Sequence, residues 1–431
     1  MNQQEFTAYC AAHYKQVCQI ALKAGEIMAS HGAEAYRIED TVCRLLQTTG
    51  FSYTEAVVSV TGLNITLADP TLEREVTMIK RISNRVNDLS QISLANDISR
   101  QFVAGKLTIE EAMQKLNSLE GLHFYSSPLV VASYVIISFF FTFMFGGHPM
   151  DAVAATIIGL FVGLASWLLS KVIPLGFVRD FLASAVLGLG CILFVYYIPI
   201  GEHLQPIISG TIMPLVPGML LTVGIRDLLK GDYLSGLSRL IEAVICAISI
   251  AAGVSIVVRL FERSLGTIIL ETPATWFTWG QNWFITPEMF FQALCSFIST
   301  ITFVILFNVE PKHLLPCGIV GGAAWFIYYF VMKYYPGISM PNFFGALTAS
   351  VISLQMARRL KAPVTVFFTG GIFCMVPGAG IYQTMYYLLG RELYDGANKL
   401  LNTIEISALI AIAIAVHTAF STVWSKRKKR V

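Results

Sequence analysis

The second part of the chain is a succession of apolar segments, each long enough to cross a lipid bilayer. A bilayer core about 30 Å thick requires about 20 apolar residues in one helix. From Pro128 onward ten such segments follow one another, separated by turn-forming stretches such as GGHP and YYPG. Their approximate limits are 128–146, 150–170, 178–199, 204–228, 237–260, 288–307, 313–333, 341–359, 363–390 and 400–424. These lengths predict a polytopic, mostly α-helical membrane protein.

Charged residues are distributed unevenly between the two parts of the chain. Of the 431 residues 13% are charged and 55% are hydrophobic, whereas a soluble domain carries about 25% charged residues. Residues 1–125 nevertheless hold 11 of the 30 Lys and Arg and 14 of the 27 Asp and Glu. The sequence therefore predicts a soluble domain at 1–125 and membrane-embedded residues from 126. The net charge of +3 is too small to indicate nucleic-acid binding.

The positive charges of the loops predict the orientation of the spans, because cytoplasmic loops are enriched in Lys and Arg. The first residues, MNQQEFTAYC, do not resemble a signal peptide, which predicts a cytosolic soluble domain. The loops expected on the same side of the membrane as this domain, together with the basic tail at 426–431, carry 14 Lys and Arg residues. The loops expected on the other side carry 5. Both termini are therefore expected in the cytosol. The linker 263–287 is expected at the outer interface, with its aromatic residues Trp276, Phe277, Trp279 and Trp283.

Two Pro-Gly pairs occur at matching places within apolar segments. The stretch PLVPGML at 214–220 and the stretch CMVPGAG at 374–380 are 160 residues apart. At this offset residues 209–241 align with 369–401 without a gap, and nine of the 33 positions are identical. The two stretches therefore belong to an internal repeat.

Further matches extend the repeat toward the N-terminal side. They occur in the same order: FVGLASW (161–167) with IVGGAAW (319–325), and FLASAVLG (181–188) with FFGALTAS (343–350). The order predicts a duplicated five-span unit, with a first membrane repeat at 126–262 and a second at 288–425. A unit with an odd number of spans enters and leaves on opposite faces, so the two repeats are expected to be inverted relative to each other.

A Pro-Gly pair within a membrane span interrupts the helix, because proline lacks a backbone N–H and clashes with the preceding turn. Unpaired backbone groups are costly in lipid, so such a break persists only where it is buried in protein or lines a cavity. Inverted repeats with broken helices in equivalent positions indicate a secondary transporter that binds its substrate at the breaks. The predicted substrate-binding residues are Pro214, Pro217, Gly218, Pro377, Gly378, Tyr382, Gln383 and Thr384.

Ionisable residues within or beside the spans are candidates for proton or ion coupling, because a charge at a helix centre costs about 2.5–3.5 kcal/mol on insertion scales. These candidates are Glu242, Glu405, His417, Asp151 and Asp180. Simpler interpretations stay open for several of them. Glu242 is close enough in sequence to pair with Arg239, and both aspartates begin spans, where an acid stabilises the helix dipole. A packed, hydrogen-bonded histidine is the alternative for His417.

The absence of Lys and Arg from the span centres bears on the substrate. A dicarboxylate usually requires a guanidinium or ammonium group nearby. A zwitterionic amino acid can instead use half-helix N–H groups for its carboxylate and a glutamate or open carbonyls for its ammonium group. The sequence favours the zwitterion, while Arg226 and Arg239 near the cytosolic mouth keep the dicarboxylate open.

The soluble domain has an α+β pattern. Helices are expected at 9–31, 34–49, 87–104 and 108–119, and strands at 53–60, 63–68 and 74–82. Neither HExxH, GxSxG nor a phosphate-loop pattern is present. The group His31, Glu34, Glu39 and Asp40 is interpreted as a charged helix face. The eight cysteines form no CxxC pair, and we expect no cofactor and no metal site.

Several stretches resemble the threonine/serine exporter family. They are KAGEIMASHGAEAYRIEDTVCRL (23–45), VTGLNITL (60–67), RISNRVNDLSQISLANDISR (81–100) and AGKLTIEEA (104–112), and the ten-span remainder with its Pro-Gly motifs resembles the rest of the family. The resemblance implies a location in the plasma (inner) membrane of a bacterium and efflux of threonine or serine, driven by proton antiport. In some bacteria the family is split into two proteins, whereas here both parts lie on one chain.

Two alternatives follow from the same resemblance. The split pair is associated with succinate export, so a dicarboxylate is an alternative substrate. A hydrolase role through a metal-binding motif has been suggested for the soluble domain of some relatives, and this sequence lacks such a motif. A membrane-anchored sensor or hydrolase acting through 1–125 is the remaining alternative. A homo-oligomer also stays open.

Overall fold

A computed structural model describes residues 2–59, 61–82, 86–198, 200–265, 284–337 and 339–428. The expected interfacial aromatics Trp276, Phe277, Trp279 and Trp283 lie outside these ranges. The side chains of the basic tail at 426–431 lie outside the described part as well.

The soluble domain is α+β, as predicted. Its elements are α1 Gln3–Ala12, α2 Tyr14–Ser30, α3 Ala35–Gln47, β1 Tyr53–Ser59, β2 Gly62–Ala68, β3 Val76–Arg81, α4 Leu89–Val103 and α5 Ile109–Asn117. The single helix expected over 9–31 is wrong, because the chain turns at His13 between α1 and α2. This turn lets Phe6 of α1 pack edge-on against Phe102 of α4, with ring centroids 5.4 Å apart.

The sheet is antiparallel in the order β1-β2-β3, with Tyr53 opposite Ala68 and Leu67 opposite Val76. Alternation along β2 directs Leu63, Ile65 and Leu67 into the core. A capping box begins α5, because the Thr108 side chain and the Glu111 side chain satisfy each other's backbone N–H groups.

The remaining elements are helices in two sets of the same order. The first set is α6 Ser127–Met144, α7 Pro149–Val172, α8 Gly176–Ile192, α9 Leu204–Ile212, α10 Gly218–Leu229 and α11 Tyr233–Leu265. The second set is α12 Pro287–Leu306, α13 Leu314–Tyr334, α14 Ser339–Leu360, α15 Val364–Phe373, α16 Gly378–Leu389 and α17 Leu393–Lys428. A π-helical turn follows α8, at Leu193–Tyr197, and a 3₁₀ turn precedes α13, at Pro311–His313.

Within the described residues, seven of these helices are long and apolar enough to cross a membrane. The pair α15–α16, bent by 51°, makes an eighth if it counts as one span. The two other segments of the ten-span prediction are α9–α10 and α14. Helix α14 has 22 residues, but Arg358 and Arg359 lie in its last turn and reduce its apolar character. A multi-pass membrane part is therefore confirmed at the level of seven to eight candidate spans.

The two sets of helices meet along reciprocal contacts. Helix α6 packs against its counterpart α12, while α10 packs against α17 and α16 packs against α11. Equivalent pairs also pack alike within each set: α6 with α7 and α12 with α13, and α8 with α11 and α14 with α17. The broken spans therefore lie where the two sets come together.

The soluble domain contacts one end of the membrane helices at separate places. Asn308, after α12, donates to the Asp88 carboxylate at 2.7 Å, and the backbone N–H of Leu89 donates to the carbonyl of Phe307 at 3.0 Å. Arg100 donates to the carbonyl of Lys361, after α14, at 3.1 Å. The domain also contacts the ends of α10 and α11 that lie near residue 231, described below.

Candidate functional site

Both predicted breaks are present, and their backbones have nearly the same shape. Pro217 has φ −77° and ψ 47°, and Pro377 has φ −77° and ψ 56°. The N–H of Gly218 donates to the carbonyl of Val216 at 2.8 Å, and the N–H of Gly378 donates to that of Val376 at 2.7 Å. Each break is therefore an inverse γ-turn centred on proline, and a new helix begins at the following glycine.

Each break packs against the other one. A Cβ atom on Gly378 would lie 2.7 Å from a methyl carbon of Val216. A Cβ atom on Gly218 would lie 3.2 Å from a methyl carbon of Val376 and 3.2 Å from the Phe373 ring. A Cβ atom on Gly378 would therefore force a shift of Val216, whereas a Cβ atom on Gly218 would be tight but would need only a small movement of its neighbours. The valine that precedes each Pro-Gly pair thus rests on the glycine of the other pair.

The crossing of the two breaks is closed. A cavity of about 10 Å³ lies beside Val376 and Pro377, room for about one water molecule. Leu221, Ile225 and Ser407 are among its lining residues. The first proline of the motif, Pro214, is half-buried and has no N–H to donate to the carbonyl of Gly210. The two breaks therefore leave little space between them in this structure.

Two buried hydroxyl groups near the breaks have no hydrogen-bond partner among the described residues. They are the Oγ1 of Thr211, one residue before the end of α9, and the Oη of Tyr382, in the second turn of α16. Gln383 is also buried, whereas the Thr384 hydroxyl donates to the carbonyl of Gly380 at 2.8 Å. A buried polar group without a partner is costly, so these two hydroxyls are available to a ligand at the breaks.

Two of the predicted coupling acids lie near each other at the end of the membrane part that faces the soluble domain. Asp180, at the start of α8, lies close to Cys246 of α11, and Glu242 is one turn before that cysteine. Glu242 also lines a cavity of about 80 Å³ between the soluble domain and α10–α11, together with Ser235 and Arg239. Glu242 is thus the predicted acid that faces a polar cavity.

Asp151 lies at the opposite end, at the start of α7. It is fully buried and accepts from the backbone N–H groups of His148, Glu202 and His203 at 2.9, 2.7 and 2.9 Å. Its Oδ2 atom is also 3.0 Å from Nδ1 of His203. This aspartate therefore joins the start of α7 to the segment that leads into α9.

Glu405 and His417 lie on α17, away from the crossing. Glu405 is exposed and accepts a hydrogen bond from Ser339 at the start of α14. His417 is half-buried, and its Nδ1 atom is 2.7 Å from the Ser350 hydroxyl of α14. The structure thus brings the Pro-Gly residues together, places Asp180 near Glu242, and puts Asp151, Glu405 and His417 elsewhere. Their coupling roles stay predictions.

The interpretation of Glu34 as part of a solvent-exposed charged face is wrong. Its carboxylate is fully buried, and it pairs with Arg226 at the end of α10 and with Arg37 at 3.4 Å. Burial by itself would raise the pKa of Glu34, but the guanidinium groups of Arg226 and Arg37 more than offset that effect and hold the pKa below its usual value of 4.5. A charged carboxylate of the soluble domain is therefore fixed on the first broken span.

A second ion pair continues this contact. Arg239 of α11 lies 3.2 Å from the Asp227 carboxylate of α10 and donates to the carbonyl of Ala33 at 2.7 Å. Sequence reasoning missed this cluster and the group His148, Glu202 and His203, because their members are far apart in the chain. The one sequence feature that could have indicated these clusters was the presence of ionisable residues near the ends of apolar segments.

Comparison with known proteins agrees with this architecture. Residues 19–261 match a family described as "Putative threonine/serine exporter", and residues 292–420 match one described as "Threonine/Serine exporter, ThrE". The chain is 22% identical over 393 residues to the "Probable threonine/serine exporter" of Mycobacterium tuberculosis, covering 89% of this chain and 72% of that protein. It is 21% identical over 412 residues to the "Threonine/serine exporter" of Corynebacterium glutamicum, covering 93% and 81%.

No solved structure matches the chain. The two family matches together cover most of the soluble domain and most of both sets of membrane helices. The chain therefore belongs to the threonine/serine exporter family, with the N-terminal and C-terminal parts of that family joined in one polypeptide.

Proposed function

We propose that the protein is a secondary transporter that exports threonine or serine from the cytosol, with the substrate held where the two broken spans cross. The reciprocal packing of Val216 on Gly378 and of Val376 on Gly218 carries this proposal. Two half-helices, α10 and α16, begin at this crossing, and helix N-termini attract a carboxylate. The hydroxyls of Thr211 and Tyr382 supply further polar contacts for a small hydroxy-amino acid.

The transport cycle that we propose requires ten spans in two inverted repeats. The soluble domain contacts the end of the fourth segment of the first set through Arg226. In the second set it contacts the ends of the first and third segments, through Asn308 and Lys361. The end of an even-numbered segment in the first set thus lies on the same face as the ends of odd-numbered segments in the second set. This supports opposite orientations of the two sets in the membrane. In this arrangement α9–α10 and α14 cross the membrane like their counterparts α15–α16 and α8.

The charges at the cytosolic mouth favour a zwitterionic substrate. Arg226 is paired with Glu34, and Arg239 is paired with Asp227. A dicarboxylate would have to compete with these carboxylates for the guanidinium groups. An amino acid needs no additional cation, since the N–H groups of a half-helix bind its carboxylate.

Proton antiport is the coupling that we assign to this exporter, with Glu242 as the proton-carrying residue. Glu242 lines the polar cavity at the end of α10–α11 that faces the soluble domain. A carboxylate in this place can exchange a proton with the cytosol when the cavity opens. Asp180 lies on the other side of Cys246 and is the second candidate.

Counterflow in proteoliposomes tests the proposal. Labelled threonine or serine is expected to enter proteoliposomes preloaded with the unlabelled amino acid faster than it enters proteoliposomes that were not preloaded. Succinate should not compete with this uptake. Pro217→Ala and Pro377→Ala restore an N–H donor at each break and are expected to reduce flux at least 10-fold. Pro287→Ala is the matched control, because Pro287 occupies the first turn of α12, where proline is tolerated.

Three outcomes would contradict individual parts of the proposal. Competition by succinate without competition by threonine would select the dicarboxylate. Equal flux in all three proline variants would contradict the proposal that the substrate binds at the breaks. Glu242→Gln is expected to abolish acceleration by a pH gradient while counterflow persists, and an unchanged response to the gradient would reject Glu242 as the coupling residue.

A further inference from the structure

The end of the membrane part that lies away from the soluble domain carries a cluster of metal-ligating side chains. His148 precedes α7, and Glu202 and His203 precede α9. Within the described ranges this is the group of three such residues whose ligand atoms all lie within 4.8 Å of one another. The three side chains are partly accessible, with exposures of 29% for His148, 59% for Glu202 and 27% for His203.

The buried carboxylate of Asp151 fixes one of these ligands. Its Oδ2 atom is 3.0 Å from Nδ1 of His203. A carboxylate is an acceptor, so Nδ1 of His203 carries the proton and Nε2 presents a lone pair. Metal-binding histidines almost always donate their other N–H to such a carboxylate or to a carbonyl, which orients the ring and makes it more basic. Asp151 is itself held by three backbone N–H groups, so this support is rigid.

The distances within the cluster suit a small transition-metal ion. Nδ1 of His148 and Oε2 of Glu202 are 3.2 Å apart. Zinc binds nitrogen and oxygen at about 2.0–2.2 Å, which gives a tetrahedral edge of about 3.3 Å. The centroids of the two imidazole rings are 4.6 Å apart, and one ligand atom of each of the three residues lies within 4.8 Å of the other two.

We propose that His148, Glu202 and His203 bind one divalent transition-metal ion of the zinc type, with Asp151 as the positioning residue of His203. Two imidazoles and one carboxylate are typical ligands of zinc, and three protein ligands leave a fourth position for water. The ion would join the start of α7 to the start of α9, the first half of a broken span. It would thereby restrain the outer end of that span, independently of which substrate the protein carries.

Metal titration of the full-length protein in detergent tests this site. The protein carries a histidine-free affinity tag, is stripped with EDTA, and is titrated with Zn²⁺ against a chromophoric chelator. We expect one tightly bound Zn²⁺ per chain, no competition by Mg²⁺, and a Co²⁺ complex with the visible absorption of a tetrahedral site. His203→Ala and His148→Ala are expected to weaken binding at least 100-fold, and Asp151→Asn 10- to 100-fold.

Two variants keep the test decisive. His123→Ala is the matched control, because His123 is exposed on the soluble domain and should leave binding unchanged. Glu202→Gln alters an exposed side chain, so it is expected to fold, as thermal unfolding in EDTA would verify, and to lose at least 10-fold in affinity. Wild-type protein that binds no Zn²⁺ at micromolar concentration would overturn the proposal. The proposal would also be overturned if Glu202→Gln and a His148→Ala/His203→Ala double variant bound Zn²⁺ with the affinity and stoichiometry of the wild-type protein.

Discussion

The two broken spans share one backbone shape but are held by different partners. In the first span, Arg226 near the end of α10 pairs with Glu34 of the soluble domain. In the second span the equivalent position is Tyr386, whose ring centroid lies 5.3 Å from the guanidinium carbon of Arg259 in α11. One half-helix is therefore fixed to the soluble domain and the other to the opposite set of membrane helices. Both spans have the same break. Of these two contacts, only the one in the first span involves the soluble domain.

Of the variants that test this difference between the two spans, removal of Glu34 is expected to lower the free energy of unfolding the most. Glu34→Ala leaves Arg226, whose side chain is 12% exposed, without its carboxylate, and breaking a buried ion pair costs about 3–5 kcal/mol. Tyr386→Leu removes a cation–π contact worth about 0.5–2 kcal/mol. Thermal and denaturant unfolding of the full-length protein in detergent would measure both losses.

The Glu34→Leu/Arg226→Met double variant distinguishes a lost pair from lost packing. Both members of this pair are then apolar, so part of the stability is expected to return, while Arg37 still lacks its contact with Glu34. Equal destabilisation by Glu34→Ala and by Tyr386→Leu would show that the two half-helices are held alike, contrary to the difference described above.

Acid is expected to weaken the contact between Glu34 and the first span. The folded-state pKa of Glu34 is lowered from 4.5, so its contribution to stability is complete above the unfolded pKa of about 4.3. That contribution is lost as the pH falls through the folded pKa, which lies below this value. Denaturant unfolding between pH 3 and pH 7 would measure the loss, and Glu34→Gln should remove this part of the pH dependence. An unchanged profile in that variant would assign the acid sensitivity to other groups.

The two crossing glycines are expected to differ in their tolerance of a side chain. A Cβ atom on Gly378 would meet Val216 at 2.7 Å, whereas on Gly218 the nearest contacts are 3.2 Å away. Overpacking a core costs about 1–3 kcal/mol, so Gly378→Ala should fall in this range and Gly218→Ala below it. The Gly378→Ala/Val216→Ala double variant is expected to regain stability and counterflow. A double variant no better than the single one would mean that Val216 does not rest on Gly378.

Local patterns were sufficient to predict the main elements of the fold. Apolar length predicted the membrane helices, alternation predicted the three strands, and the missing N–H of proline predicted both breaks. The ion pair between Glu34 and Arg226 could not be predicted in this way. The two residues are separated by 192 positions, and a glutamate at a helix start has the same sequence pattern whether it faces water or a partner. For the same reason the His148–Glu202–His203 group was not found.

Packing also shifts the repeat by one helical turn in α7 and α13. The sequence alignment places Gly163 opposite Gly321. In the structure, however, Gly159 faces Ser138 and Gly321 faces Thr300. Ser138 and Thr300 are 162 residues apart, as are Gly159 and Gly321, so their contacts are the equivalent ones. A shift by four residues keeps the same apolar helix face, which is why composition alone could not fix the register.

The smallest expected effect on stability concerns the two unpaired hydroxyls, one at each break. Thr211→Val and Tyr382→Phe remove buried groups that have no partner among the described residues. Loss of an unsatisfied hydroxyl is close to neutral for folding, so we expect unfolding free energies within about 0.5 kcal/mol of the wild-type protein. If these hydroxyls contact the substrate, the KM for threonine should rise at least 5-fold in each variant. Thr384→Val is the matched control, since its hydroxyl already donates to the carbonyl of Gly380. Unchanged KM values in both test variants would place the substrate away from these side chains and leave the backbone of the two Pro-Gly turns as the remaining binding surface.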